Sequence, residues 1–167
     1  AGKSPLFPVA LWWQGGLGEQ KVLMLEPRRI AARATAERMA SLLGERVGET
    51  VGYQMRMERR VSSATRIIVV TEGILTRLLQ DDPALEGVGA VRFDEFHERS
   101  VQADLGLALC LQAPQTLRAD LRLLVMSATM DGVGLAARLE AEGVQRSGRV
   151  FPVVVHFVPH VRAAPRT

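Results

Sequence analysis

Cysteine occurs once, at Cys110, so the chain has no internal disulfide open to it. Cys110 falls in an apolar helical pattern, which predicts a buried packing thiol rather than a reactive one. No apolar run approaches the length of a membrane span and no leader pattern opens the sequence; the expectation is a protein of the reducing cytoplasm with no membrane contact. Internal repeats, low-complexity tracts and zinc-ligand spacings are missing too. His156 and His160 stand four residues apart, yet no third ligand lies near, and no metal is assigned to them. Lysine is nearly absent: of 21 basic residues, only Lys3 and Lys21 are not arginine. The arginine excess permits a nucleic-acid partner, because guanidinium forks match phosphate oxygens. A compositional bias toward Ala, Arg, Gly and Val accounts for it equally well, and a net charge of +3 does not choose between them. Scarcity does mark Lys3 as less incidental than a lysine in a lysine-rich chain.

What is present amounts to one domain: 167 residues, 47% apolar and 23% charged, as in an ordinary soluble globular protein. Ala1-Gly2-Lys3-Ser4 leads into a predicted helix through Leu6, Phe7, Val9, Leu11 and Trp12. Gly15-Gly16-Leu17-Gly18 reads as a flexible loop. Lys21–Leu25 is a short apolar run of the kind expected for a buried parallel strand, and it ends in Glu26-Pro27-Arg28-Arg29. The helix after it carries Ala32, Ala36, Met39 and Leu43 on one face, with Arg33 and Glu37 as an i,i+4 pair on another. Val51–Glu58 is expected to be irregular or briefly extended. Arg66–Val70 is the next strand. Thr71-Glu72-Gly73 follows, then a helix from Ile74 to about Gln80 that buries Ile74, Leu75, Leu78 and Leu79 and stops at Asp81-Asp82-Pro83. A run around Val91 and Phe93 ends in Asp94-Glu95-Phe96-His97. A long helix is expected from about Val101 to Gln112, with Leu105, Ala108 and Leu109 inward. Leu121–Met126 is another strand, followed by Ser127-Ala128-Thr129, a helix near Gly134–Glu142 and an apolar run, Val153–Val158.

Strands alternating with helices predict a mainly parallel sheet covered on both faces, a three-layer α/β/α domain. Four strands end in polar clusters, and in a parallel sheet their carboxyl ends share one edge, where ligand chemistry sits. Gly2-Lys3-Ser4 entering a helix is the second half of a phosphate-binding loop, G-x-x-x-x-G-K-[ST]. There the backbone N–H groups cradle phosphates, Lys3 reaches the β/γ oxygens and Ser4 ligates Mg²⁺. The paired carboxylates Asp94 and Glu95 suit the same site: one holds Mg²⁺, the other positions or deprotonates the attacking water. Each cluster alone fits a solvated turn. Their convergence on one edge carries the functional reading.

In this order the clusters resemble the first RecA-like domain of a DEAH-box helicase, most closely of the bacterial HrpB type, over nearly the whole chain. Gly2-Lys3-Ser4 is similar to the end of motif I, Glu26-Pro27-Arg28-Arg29 to motif Ia, and Thr71-Glu72-Gly73 to motif Ib. Asp94-Glu95-Phe96-His97 resembles motif II with Phe96 in place of the usual alanine, and Ser127-Ala128-Thr129 resembles motif III. The resemblance implies a RecA-like P-loop NTPase fold whose first strand is not in this sequence. It implies ATP and Mg²⁺ as cofactors, with Gly2, Lys3, Ser4, Asp94 and Glu95 around the nucleotide, and Ser4 and Asp94 on the metal. Asp94, Glu95 and His97 would be catalytic. Arg28, Arg29, Thr71, Glu72 and Gly73 would meet single-stranded RNA or DNA, and Ser127, Ala128 and Thr129 would couple the two sites through His97. Residues 1–150 would form the ATP-binding lobe, truncated at its N-terminus, and 151–167 a strand and linker toward a second RecA-like domain of the same protein.

The sequence departs from that pattern at Pro5, where threonine is usual, in the first half of the phosphate loop and in the second lobe, which would supply an arginine finger. The chain alone is therefore expected to unwind nothing and to hydrolyse ATP very slowly. Two rival readings stay open. One is a nucleic-acid or protein-binding module that has lost catalysis, with Pro5 as its mark. The other is a different P-loop ATPase, which leaves the Glu-Pro-Arg-Arg, Thr-Glu-Gly and Ser-Ala-Thr clusters without a reason.

Overall fold

Short β-branched and leucine-rich runs become strands, and the segments between them are long enough for a helix to return the chain to the same sheet edge. The computed structural model describes residues 3–98, 100–116, 118–128, 132–139 and 142–144. In chain order they form α1 (Lys3–Trp13), β1 (Lys21–Leu25), α2 (Arg29–Leu42), β2 (Val51–Met55), β3 (Glu58–Arg60), β4 (Ile67–Val70), α3 (Glu72–Asp81) and β5 (Val88–Phe93). A single 3₁₀ turn (Phe96–Glu98), α4 (Val101–Thr116), β6 (Arg122–Val125) and α5 (Gly132–Arg138) follow. The chain divides into two compact units, Ala1–Met130 and Asp131–Thr167. In the second, α5 begins two residues before the predicted Gly134, and Glu142 lies outside it. The run Val153–Val158 and the segment 151–167 lie outside the described residues.

The first unit is built on one six-stranded sheet in the order β3-β2-β4-β1-β5-β6, parallel except for the β2–β3 pair. On one face Ala32, Ala36, Met39 and Ala40 of α2 join Val22, Met24, Val51, Ile67, Val69 and Ala90 in a continuous core, with Val9, Leu11 and Trp12 of α1 packed against it. α3 and α4 cover the other face. There Phe93 Cε1 lies 3.7 Å from where a Cβ on Gly106 would stand, and Leu75 Cδ2 lies 3.3 Å from it. Helices on both faces and a mainly parallel sheet are the predicted three-layer architecture.

One local expectation is resolved and three are corrected. Of the two alternatives for Val51–Glu58, the extended one holds: β2 pairs in parallel with β4 and turns back into β3. Gly52 obscures that strand in the sequence, and its backbone explains the glycine, since a Cβ there would stand 2.3 Å from Arg60 O. Arg33 does not pair with Glu37. Its Nη2 donates to Glu58 Oε2 at 2.6 Å, and Tyr53 Oη donates to Glu58 Oε1 at 2.6 Å, so the hairpin offers a better-placed carboxylate than the helix does. In α3 only Leu75 and Leu79 are buried, while Ile74 and Leu78 are half-buried. In α4 the buried face is Ala103, Leu107 and Cys110, not Leu105, Ala108 and Leu109; Leu105 is 42% exposed. The close approach of Gly106 to Leu75 and Phe93 fixes which side of that helix faces inward and leaves Leu105 outward. Burial pushes the Cys110 thiol up to about 12, as expected of a packing residue.

Candidate functional site

β5 is the strand buried at all its positions, and the chemistry begins where it ends. Asp94 N–H donates to Leu25 O at 3.1 Å, Phe96 N–H to Met126 O at 2.9 Å, and Met126 N–H to Phe93 O at 2.8 Å. These bonds lace the carboxyl ends of β1, β5 and β6 together. Glu26, the Asp94-Glu95 pair and Ser127 therefore leave adjacent strands on a common edge. Glu95 itself has a φ of 49°, a left-handed conformation that non-glycine residues adopt at a cost, often at functional sites.

Asp94 is buried and held from two sides: Arg92 Nη2 donates to its Oδ2 at 3.1 Å and the Glu95 N–H to its Oδ1 at 3.1 Å. Glu26 is also buried, and its carboxyl is raised to about 7 by that burial and then by the negative charges of Asp94 and Glu95. His97 bridges two clusters. Its Nδ1 accepts the Ala128 N–H at 3.2 Å, which leaves Nε2 to carry the proton facing Glu95 Oε2 at 3.3 Å. A cavity of about 170 Å³ opens beside these groups, between Pro27, Glu72, Asp94, Glu95, Glu98 and Ser100.

Of the residues predicted to meet nucleic acid, Glu72 lines this cavity, and three of the five already have partners. Arg28 Nη2 donates to Glu98 Oε1 at 2.6 Å, and Ser100 Oγ donates to Glu72 Oε1 at 2.6 Å. Arg29 Nη2 donates to Arg56 O at 3.3 Å, which brings the tip of the β2–β3 hairpin beside it. Thr71 precedes α3 in extended conformation, and Gly73 is exposed with open space where a Cβ would go. Ser127 and Ala128 are exposed on the strand-end edge. Lys3 and Ser4 open α1; Gly2 and Thr129 lie outside the described residues.

Four participants escaped the sequence reading: Arg92, Glu26 as a buried acid, Glu98 and Ser100. Only Arg92 left a signal, as a lone charge inside an otherwise apolar strand.

The donor set fits a Mg²⁺–nucleotide. A carboxylate accepts about four hydrogen bonds; at Asp94 Arg92 and the Glu95 N–H take two, which leaves acceptor sites for a metal ion or its bound water. Glu95, His97 and Glu98 also present ligand atoms within 4.8 Å of one another. His97 Nδ1 already accepts from the Ala128 N–H and Glu98 is paired with Arg28, so those three are not read as a second metal site.

A mainly parallel sheet with helices on both faces and its acids gathered at one edge defines a RecA-like α/β domain. The family description DEAD/DEAH box helicase matches residues 1–136, and the chain belongs to that family. It is 54% identical over 160 residues to the ATP-dependent RNA helicase HrpB of Escherichia coli, covering 95% of this chain and 20% of that protein. The crystal structure of Escherichia coli DEAH/RHA helicase HrpB matches with a TM-score of 0.86 at 55% identity, over 92% of this chain and 20% of that one. The mouse putative ATP-dependent RNA helicase DHX57 is 42% identical over 147 residues, 87% of this chain and 10% of that protein. The chain thus spans a fifth or less of the length of these relatives.

Proposed function

We propose that this chain is the nucleotide-binding lobe of an ATP-dependent RNA or DNA helicase, coupling Mg-ATP hydrolysis to movement on a single strand within a longer cytoplasmic protein. The observation that carries this reading is His97, whose Nε2 stands 3.3 Å from the carboxylate of the acid that would act on water while its Nδ1 accepts from the backbone of the next strand end. The names of the similar proteins, ATP-dependent RNA helicases, agree with it.

In this reading the N-terminus of α1, with Gly2, Lys3 and Ser4, would receive the phosphates, and Ser4 and Asp94 would hold Mg²⁺. The bound Mg²⁺ supplies charge to offset that developing on the phosphates. Glu95 orients and deprotonates the attacking water, its carboxylate steadied by His97. Any shift of Glu95 moves His97, and through the Ala128 N–H it moves Ser127, Ala128 and Thr129. Arg28, Arg29, Thr71, Glu72 and Gly73 would meet the sugar-phosphate backbone. A phosphate would have to displace Glu98 from Arg28 and would approach Gly73 where no side chain stands in the way. Pro5 lies within the first turn of α1, where no helical hydrogen bond needs its N–H, so its presence does not by itself argue for lost catalysis. A second RecA-like domain of the same protein would complete the cleft, and without it the chain is expected not to unwind.

Thermal unfolding with increasing Mg²⁺·ADP tests the nucleotide reading, since a ligand specific for the folded state raises the melting temperature as RT ln(1 + [L]/Kd). A rise that disappears in Lys3→Ala is expected. An equal rise in both proteins would remove the phosphate loop from the proposal.

A further inference from the structure

Arg92 is the part of the site that no motif accounts for. Successive residues of a strand face opposite sides, so Ala90 and Arg92 of β5 share the face that α1 and α2 cover, beside Met24 of β1 and Leu124 of β6. That layer is otherwise apolar, and an aliphatic side chain would complete it. Instead a guanidinium sits there at 1% exposure. A charge so deeply buried persists only with a partner, and Asp94 on the same face provides one at 3.1 Å. On its other flank the Arg92 guanidinium carbon lies 5.9 Å from the centroid of the Phe7 ring, on the helix that follows Gly-Lys-Ser. Glu26 and Glu95 complete the acidic surroundings.

We propose that Arg92 is a positioning residue and resident counter-cation of the metal site: it aims the Asp94 carboxylate and turns away a divalent ion that arrives without nucleotide phosphates. This inference rests on the reading of Asp94 as a Mg²⁺ ligand. A guanidinium and a divalent ion drawn to one carboxylate repel each other strongly in a poorly solvated site. A nucleotide brings negative charge that offsets the repulsion, so the metal enters as the nucleotide complex. No covalent bond changes; only ionic partners do.

The test is a titration of the chain with Mn²⁺ in the absence of nucleotide, followed by loss of the free-ion EPR signal. Above about pH 7, where the Glu26 carboxyl is ionised, Arg92→Met combined with Glu26→Gln removes one buried charge of each sign, and Arg92→Gln with Glu26→Gln gives the same comparison in case the first variant does not fold. Relieving the repulsion should tighten Mn²⁺ binding about tenfold or more. Arg92→Lys with Glu26→Gln, which restores the cation, should return it toward the native value, and Asp94→Asn should abolish the gain. Equal Mn²⁺ affinity in the native and neutralised chains, each folded by circular dichroism, overturns the proposal, as does a gain that survives Asp94→Asn. Mg²⁺·ADP in parallel separates this from the wider reading. A native chain that ignores Mg²⁺·ADP while the Mn²⁺ series behaves as expected counts against nucleotide binding and leaves the role of Arg92 toward the metal standing.

Discussion

Arg92 meets Asp94 with both side chains sealed, at 1% and 4% exposure, whereas Arg33 meets Glu58 with 50% and 27% of theirs open to solvent. Both are arginine–carboxylate contacts; the first joins residues two apart at the end of β5, the second joins α2 to the β2–β3 hairpin. Water can replace either partner at Arg33 and Glu58, and salt screens what attraction remains. The Tyr53 hydroxyl, then Arg33, hold the Glu58 carboxyl below its ordinary range, but the same groups would be solvated if released. At Arg92 and Asp94 no such exchange is open. Removing one partner strands the other in the core, although the intact pair adds little net stability over an apolar core. The sealed pair thus specifies where a carboxylate points; the exposed pair tidies a hairpin.

The largest effect should come from Arg92→Leu, which leaves Asp94, Glu26 and Glu95 without their buried cation. A loss of about 3–5 kcal/mol is expected from urea denaturation. A loss below about 1 kcal/mol would put the pair on a level with exposed ones and erase the contrast.

The next effect is one of pH. Glu26 has a folded pKa of about 7 against an ordinary 4.5, so the folded state binds its proton more tightly than the unfolded state does. Its contribution to stability is fully present below 4.5 and is lost as pH rises through about 7. The denaturation midpoint of the native chain should fall across that window, and Glu26→Gln should flatten the fall. A native midpoint unchanged over the window would mean that burial, with the charges of Asp94 and Glu95, does not raise the Glu26 carboxyl in solution.

Arg33→Ala should do least, leaving the midpoint within experimental error, with any residual difference vanishing in high salt. A large, salt-resistant loss would show the hairpin pair to be as structural as the buried one.

Much of the fold was legible because buried parallel strands are nearly continuous apolar runs, as at Lys21–Leu25 and Arg66–Val70, bounded by turn and capping residues. The site edge was legible for the same reason, since parallel strands must release their polar ends on one side. Where periodicity failed, a neighbour was responsible. β2 hides behind Gly52 and Gln54, and glycine is required there by Arg60 in a strand that contacts it only after a turn. The α4 face was misassigned because Leu105, Leu107, Leu109 and Cys110 offer apolar residues all round, and the choice between them was made by the fit of Gly106 against Leu75 and Phe93.

Local sequence is enough to specify the strands, their ends, the order of the motif clusters and the α/β class, because those follow from hydrophobic period and chain connectivity. Partnership is different. That Arg28 holds Glu98, that His97 reaches Ala128, and that Arg92 lies sealed beside Asp94 depend on contacts between residues brought together by the sheet and its neighbouring segments. Dielectric and distance, which govern what a charge does, are properties of the packed sheet and its covering helices rather than of any stretch of chain.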